Sequence, residues 1–239
     1  MTVISSQLTR NMDQFIRHQV DQYFTKTLRQ KKQTKPIITI SREFGCEGLI
    51  VASKLAEELK KLDSNDWLIY NRKLIEKVTE KEEFEKDLME SLDEQQRNQV
   101  EQFADHLLAH KPGNYSLYQK MAQSVKALSN QGHCIIVGSG GAILTEGLPH
   151  SLHIRLKANP EFRINRISSL LSVSGEEAKQ IIEKSADSRF QLIYNFTRKN
   201  VDNPKYYDLI IDNARFSSDQ IVGLIIHALN DLVPDWKNE

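Results

Sequence analysis

The stretch PIITISREFGCEGLIVASKLAEEL, residues 36–59, decides how this chain folds. An apolar run, Ile37 to Ile40, leads into a turn bearing Gly45 and Gly48, and a helical pattern opens directly after it. Strand, glycine turn and helix in that order form the layout of a phosphate-binding loop, G-x-x-x-x-G-K-S/T, whose backbone amides at a helix N-terminus point at phosphate oxygens. The lysine of such a loop is absent, and Gly48 stands in its place. Packing alone also produces strand–glycine–helix turns, so the turn by itself leaves both readings open.

Outward from this stretch, short apolar runs recur at 67–70 (WLIY), 134–137 (CIIV), 152–156 (LHIRL) and 207–212 (YDLIID), giving five expected strands with the first. The first and the CIIV run are nearly continuous in apolar residues, as strands covered on both faces of a parallel sheet are. Helical periodicity lies between them. Over 49–62, Leu49, Ala52, Leu55, Ala56, Leu59 and Leu62 share a face. Asn159 is an expected N-cap with Pro160 at the first helical position, and Ser174 and Glu177 are spaced as a capping box. Strands alternating with helices predict an α/β fold around a five-stranded parallel sheet. The segment of about 72–130 has no strand-like run and is charged and helical, which predicts a helical insertion. Residues 1–35 form a separate unit, an amphipathic helix marked by Met12, Phe15, Ile16, Val20, Tyr23, Phe24 and Leu28 and then a polar linker. That helix is expected to pack on its own body or on a second copy as a homodimer. Residues 36–239 form the main domain.

Composition narrows the partners. In 239 residues, 32 basic side chains balance 32 acidic ones, so no net field favours nucleic acid or an anionic membrane. The two cysteines, Cys46 and Cys134, cannot build a disulfide framework or a Cys-rich metal site, and the seven histidines show no ligand spacing. No metal-binding residue is assigned. Without a signal-like or membrane-spanning run, a cytoplasmic location is expected.

Five motifs in order carry a resemblance. The loop contains S-R-E-F-G, Ser41 to Gly45; YNRKLIEKV follows from Tyr70; GHCIIVGSGGAIL spans 132–144; LHIRLKANPEFRINRI spans 152–167; KSADSRFQLIYNF and DNPKYYDLIIDN follow. Over about residues 36–230 the chain resembles the cytidylate kinase-like family, P-loop relatives of bacterial CMP kinases. The resemblance implies a P-loop NTPase-like fold, with a lid at about 172–200. It also implies transfer of the γ-phosphoryl group of ATP, with Mg²⁺, to CMP or a similar nucleoside monophosphate. By the same resemblance, Ser41, Arg42, Glu43, Phe44, Gly45, Cys46, Glu47 and Gly48 would hold the donor phosphates. Tyr70, Asn71, Arg72, Gly138, Ser139 and Gly140 would face the acceptor. Arg163, Arg166 and Arg189, with Asp187 beside the last, would close over the transferring group.

Several positions depart from that pattern. Where the family shows G-S-G-G-R the loop reads Gly45-Cys46-Glu47-Gly48-Leu49, so the arginine that could replace the lysine is Leu49. Ser139 replaces the arginine of G-R-G-A, and Asn71 replaces an aspartate. Glu47 matters most, because a carboxylate about 5 Å from a phosphate oxygen costs on the order of 3 kcal/mol per unit charge. It must point outward, share a metal ion with the phosphates, or mark a loop that no longer holds them. Arg42 has Glu43 beside it as an expected partner. Arg163 and Arg166 share one helix face, with Ile164, Ile167, Leu170 and Leu171 expected toward the core. Cys46 sits where a thiolate is favoured, but no histidine base accompanies it. Three readings follow: a nucleoside monophosphate kinase-like enzyme, an inactive kinase-like binding or interaction module, and a phosphotransferase on another small molecule.

Overall fold

The computed structural model describes residues 35–71, 74–75, 115–138, 140–234 and 236–237. The N-terminal helix expected within 1–35, most of the expected insertion, Arg72 and Ser139 lie outside the described residues. Five strands, β1 (Ile37–Arg42), β2 (Leu68–Asn71), β3 (Cys134–Val137), β4 (Ser151–Lys157) and β5 (Leu209–Asp212), form one sheet in the order β2-β3-β1-β4-β5. Every pairing is parallel, with Ile38 opposite Ile135 on one side and Leu152 on the other. The expected five-stranded parallel sheet flanked by helices is therefore the fold.

Six α-helices are described: α1 (Gly48–Asp63), α2 (Tyr115–Gln131), α3 (Gly141–Leu144), α4 (Pro160–Leu171), α5 (Gly175–Thr197) and α6 (Ser218–Leu232). Strand alternation sends Ile38 and Ile40 to the face covered by α1 and α6, where they meet Val51, Leu55, Ile221 and Ile225. Ile37 and Ile136 face the other layer, with Met121, Val125 and Leu128 of α2 and Ile193 of α5. Both faces of the central strands are thus dry, as their continuous apolar composition requires. Local chemistry sets the helix ends. The Asn159 side chain accepts from the Phe162 amide at 2.8 Å with Pro160 inside the first turn, and Ser174 and Glu177 cap α5 reciprocally.

Two expectations about α4 and α1 are corrected. Leu170 and Leu171 are 45% and 47% exposed rather than buried in the core. The apolar side of α4 packs through Ile164 and Ile167 onto Ala178 and Ile182 of α5, forming a small cluster apart from the sheet. Leu62, at the last turn of α1, also lies outside the core, while Val51 lies inside it.

The topology places the site. The chain leaves β1 toward β2 and leaves β4 toward β5, in opposite directions, which opens a crevice at the C-terminal ends of β1 and β4. Residues 43–47 sit at that crevice, tied to the neighbouring strand by the Glu43 amide, which donates to the Leu156 carbonyl at 3.0 Å.

Candidate functional site

The glycine turn folds as a tight link. Gly45 has φ +97°, a conformation that side chains rarely adopt, and a Cβ there would stand 2.8 Å from Arg163 Cβ. The absence of a side chain lets α4 lie against the loop. Glu47 is the N-cap of α1. The amides of Gly48, Leu49 and Ile50 then open the helix with no backbone acceptor among the described residues, as first-turn amides do. The two preceding amides are engaged internally. Cys46 N–H donates to the Glu43 carbonyl at 3.1 Å, and Glu47 N–H donates to Asn213 Oδ1 at 2.6 Å.

The Glu47 carboxylate is engaged by two side chains. Ser218 Oγ donates to its Oε2 at 2.6 Å, and Arg166 Nε lies 3.5 Å from its Oε1. Glu43 does not pair with Arg42, contrary to expectation. Its Oε2 accepts the Ala158 amide at 3.1 Å and lies 3.5 Å from Arg163 Nε, and Arg163 Nε also donates to the Ala158 carbonyl. The reason is geometric: adjacent strand residues project to opposite faces, so Glu43 meets the start of α4 while Arg42 runs the other way.

Arg42 runs back over the loop. A Cβ on Gly48 would meet its Cδ at 3.0 Å, and a Cβ on Gly138 (φ +80°) would collide with its Nη1. Among the described residues no carboxylate pairs with it. Burial and then the neighbouring Arg189 guanidinium push its pKa down to about 10. Keeping it charged is therefore less favourable in the free protein than in water. Arg189 comes from α5. Its Nη1 donates to the Arg42 carbonyl, its Nη2 lies 3.8 Å from Asp202 Oδ1, and its buried Nε lacks a hydrogen-bond partner. Its pKa is also lowered, first by burial and then by Arg155.

These groups surround a cleft of about 410 Å³ between the loop, α4 and α5. Arg42, Arg166 and Arg189 line it with Glu43 and Glu47, while Phe44, Ile50, Leu170 and Leu192 supply apolar walls. Not every expected residue reaches it. Asp187 is exposed on α5 and does not line the cleft. Ser41 meets the Tyr207 hydroxyl at 3.2 Å. Tyr70 is buried in the core, and Asn71 Oδ1 accepts the Leu74 amide at 2.9 Å, which makes it a turn-capping residue. Gly138 holds the turn after β3 through Gly138 N–H to the Ile40 carbonyl, and Gly140 (φ +70°) starts α3. Burial, then Glu43, push the Cys46 thiol up to about 11 against Arg163 and Arg166, so it stays protonated at neutral pH and is no nucleophile.

Several participants escaped the sequence reading. Arg155 of β4 is buried, pairs with Asp202 at 2.5 Å, donates to the Val201 carbonyl at 3.1 Å and stands over the Tyr207 ring. A charge inside the apolar run LHIRL was its signal, because a buried cation needs partners. Asn213 and Ser218, which fix Glu47, carry no local signal.

The sequence model of the cytidylate kinase-like family matches residues 37–215, well over half of the chain. The chain belongs to the cytidylate kinase-like family. A cytidylate kinase from Methanocaldococcus jannaschii is 26% identical over 138 residues, covering 56% of this chain and 74% of that protein. The crystal structure of an uncharacterised protein from Eubacterium ventriosum superposes with a TM-score of 0.63 at 19% identity, covering 82% of this chain and 99% of that one. That last likeness concerns the fold alone. Membership of the cytidylate kinase-like family supports a kinase-like, nucleotide-binding role. Among the described residues no helix is long and apolar enough to cross a membrane.

Proposed function

We propose that this member of the cytidylate kinase-like family is a phosphotransferase that moves the γ-phosphoryl group of ATP to CMP or a similar nucleoside monophosphate. The observation that carries the proposal is the cleft beside the loop, which Arg42, Arg166 and Arg189 line with Glu43 and Glu47, Arg42 being paired with no carboxylate among the described residues. A half-buried guanidinium without a counterion favours an anion, and a phosphate with charge spread over several oxygens suits its planar donors. Phosphoryl transfer asks little covalent chemistry of a protein; it asks for clamps on spread charge and a positioned acceptor.

In this reading the first-turn amides of α1 hold the donor phosphates. Phe44, Ile50 and Leu170 give its nucleoside an apolar wall. Arg166 and Arg189 neutralise charge that grows in the transition state, with Arg163 seating the loop against α4. The acceptor enters from the C-terminal ends of β2 and β3, near Asn71 and Gly138. No cluster of three metal-ligating side chains forms among the described residues. Mg²⁺ would be held largely by phosphate oxygens and water, with Glu43 and Glu47 as the cleft carboxylates. When bound, Mg²⁺ offsets the negative charge of the donor phosphates.

One observation favours the reading of an inactive binding module. Cys46 and Glu47 have given their amides to protein acceptors, so the loop offers fewer donors than a phosphate-binding loop needs. A thermal-shift series separates the readings, using ATP and ADP with and without Mg²⁺, and CMP, dCMP, UMP, AMP and GMP alone or with the donor. A ligand at 100 times its Kd stabilises by ~2.7 kcal/mol, or about 5–10 °C for a chain of this size. Stabilisation by Mg·ATP together with one monophosphate, followed by ADP release in a coupled assay, is the expected result. Stabilisation without turnover identifies a binding module. A flat response to every nucleotide overturns the proposal.

A further inference from the structure

We infer that Arg42 takes the part of the missing loop lysine, reaching the terminal phosphates of the donor from the end of β1 across the loop. The inference rests on the phosphotransferase reading and names the residue that grips the donor.

Position is the first argument. A loop lysine would start at residue 48, and the space above Gly48 is filled by the Arg42 stem, its Cδ and Cγ lying 3.0 and 3.2 Å from where a Cβ would stand. The guanidinium end then reaches Gly138 in the turn after β3, where any Cβ would collide with Nη1. Two glycines, one on the loop and one on the neighbouring strand end, form the channel in which Arg42 lies. A lysine at 48 and an arginine at 42 compete for one volume, and this chain carries the arginine.

Charge is the second. The two carboxylates that line the cleft, and Asp202 beside Arg189, are engaged by other arginines: Glu43 by Arg163, Glu47 by Arg166, and Asp202 by Arg155 and Arg189. Arg42 alone among these cationic groups has no acid of its own among the described residues. Among the described residues, the charged group that acts on it most strongly is another cation, Arg189. A desolvated charge without a counterion is unfavourable in the free protein and becomes favourable when an anion fills the cleft. Its planar fork can bridge two phosphate oxygens, which a lysine ammonium cannot do.

The test measures binding of Mg·ATP and of inorganic tripolyphosphate to the full chain by calorimetry, with melting curves of each protein free of ligand. Arg42→Met keeps the stem and removes the charge. The expected result is a ligand-free melting temperature equal to or above that of the parent, with affinity for both probes lowered ~30-fold. A structural arginine would give the reverse, a lower melting temperature and unchanged binding. Gly48→Lys alone is crowded by Arg42 and lowers the melting temperature. In an Arg42→Ala background it has room, and it brings affinity back to within roughly tenfold of the parent. If the double variant binds no better than Arg42→Ala, the exchange of positions is wrong. If the parent binds ATP and Arg42→Met binds it equally, the inference fails while the phosphotransferase reading stands. If the parent binds tripolyphosphate through Arg42 and ignores every nucleotide, the functional reading fails and the anion site stands. If the parent binds neither probe, both fail.

Discussion

The carboxylate of Glu47 lies between the Ser218 hydroxyl and the Arg166 guanidinium, so its charge is partly met before any phosphate approaches. It nevertheless lines the cleft. This pairing reduces the repulsion without removing it, because in the proposed reading Arg166 would serve Glu47 and a bound phosphate at once. Glu47→Gln keeps an oxygen for Ser218 and removes the charge, which frees Arg166 for the ligand. Tighter binding of Mg·ATP, by roughly tenfold, is expected in calorimetry. Weaker binding would mean that the carboxylate positions Arg166 for the phosphate rather than competing with it. The sequence could show the charge at 47 but not its direction, since Ser218 lies 171 residues away and Arg166 on a separate helix.

At the scale of elements, α4 is the part whose placement matters most. Its start was legible, because Asn159 and Pro160 act within one turn of chain. Its partner was not. Ile164, Ile167, Leu170 and Leu171 announce an apolar side, but periodicity does not say what covers it. The structure covers Ile164 and Ile167 with α5 and leaves the two leucines outside, with Leu170 walling the cleft. The contact of α4 with the loop depends on Gly45. Gly45→Ala places a methyl 2.8 Å from Arg163 Cβ at a strained φ, so α4 must shift or the loop must change shape. A loss of about 1–3 kcal/mol is expected in denaturant unfolding, along with loss of the nucleotide-induced thermal shift. Parent-like stability and binding would show that the loop does not lie against α4 as described.

Across the whole molecule, the sheet and its two covering layers set the crevice. Leu55 of α1 is fully buried between the sheet and α6, far along the helix from its loop end. Leu55→Ala is expected to cost about 2–5 kcal/mol in chemical denaturation while leaving the affinity of the folded protein for Mg·ATP unchanged. The loop does not need Leu55 for its shape, since the Leu156 carbonyl and Asn213 hold it directly. A loss well under 1 kcal/mol would contradict the packing of that layer.

Sequence alone determined the five strands, the helix caps and the strand–glycine–helix turn at 45–48. Each of these is written in contacts within a few residues, in side-chain periodicity or in the backbone demands of glycine and proline. It also singled out Arg42, Arg166 and Arg189, which the structure brings to one cleft, and Arg163, which packs against the loop instead. Only the tertiary structure decided how their charges divide: Glu43 with Arg163, Glu47 with Arg166 and Ser218, Asp202 with Arg155, and Arg42 left without an acid among the described residues. Charge pairing depends on distances of a few ångströms between elements far apart in the chain. Strand order fixes those distances, and no local pattern encodes them.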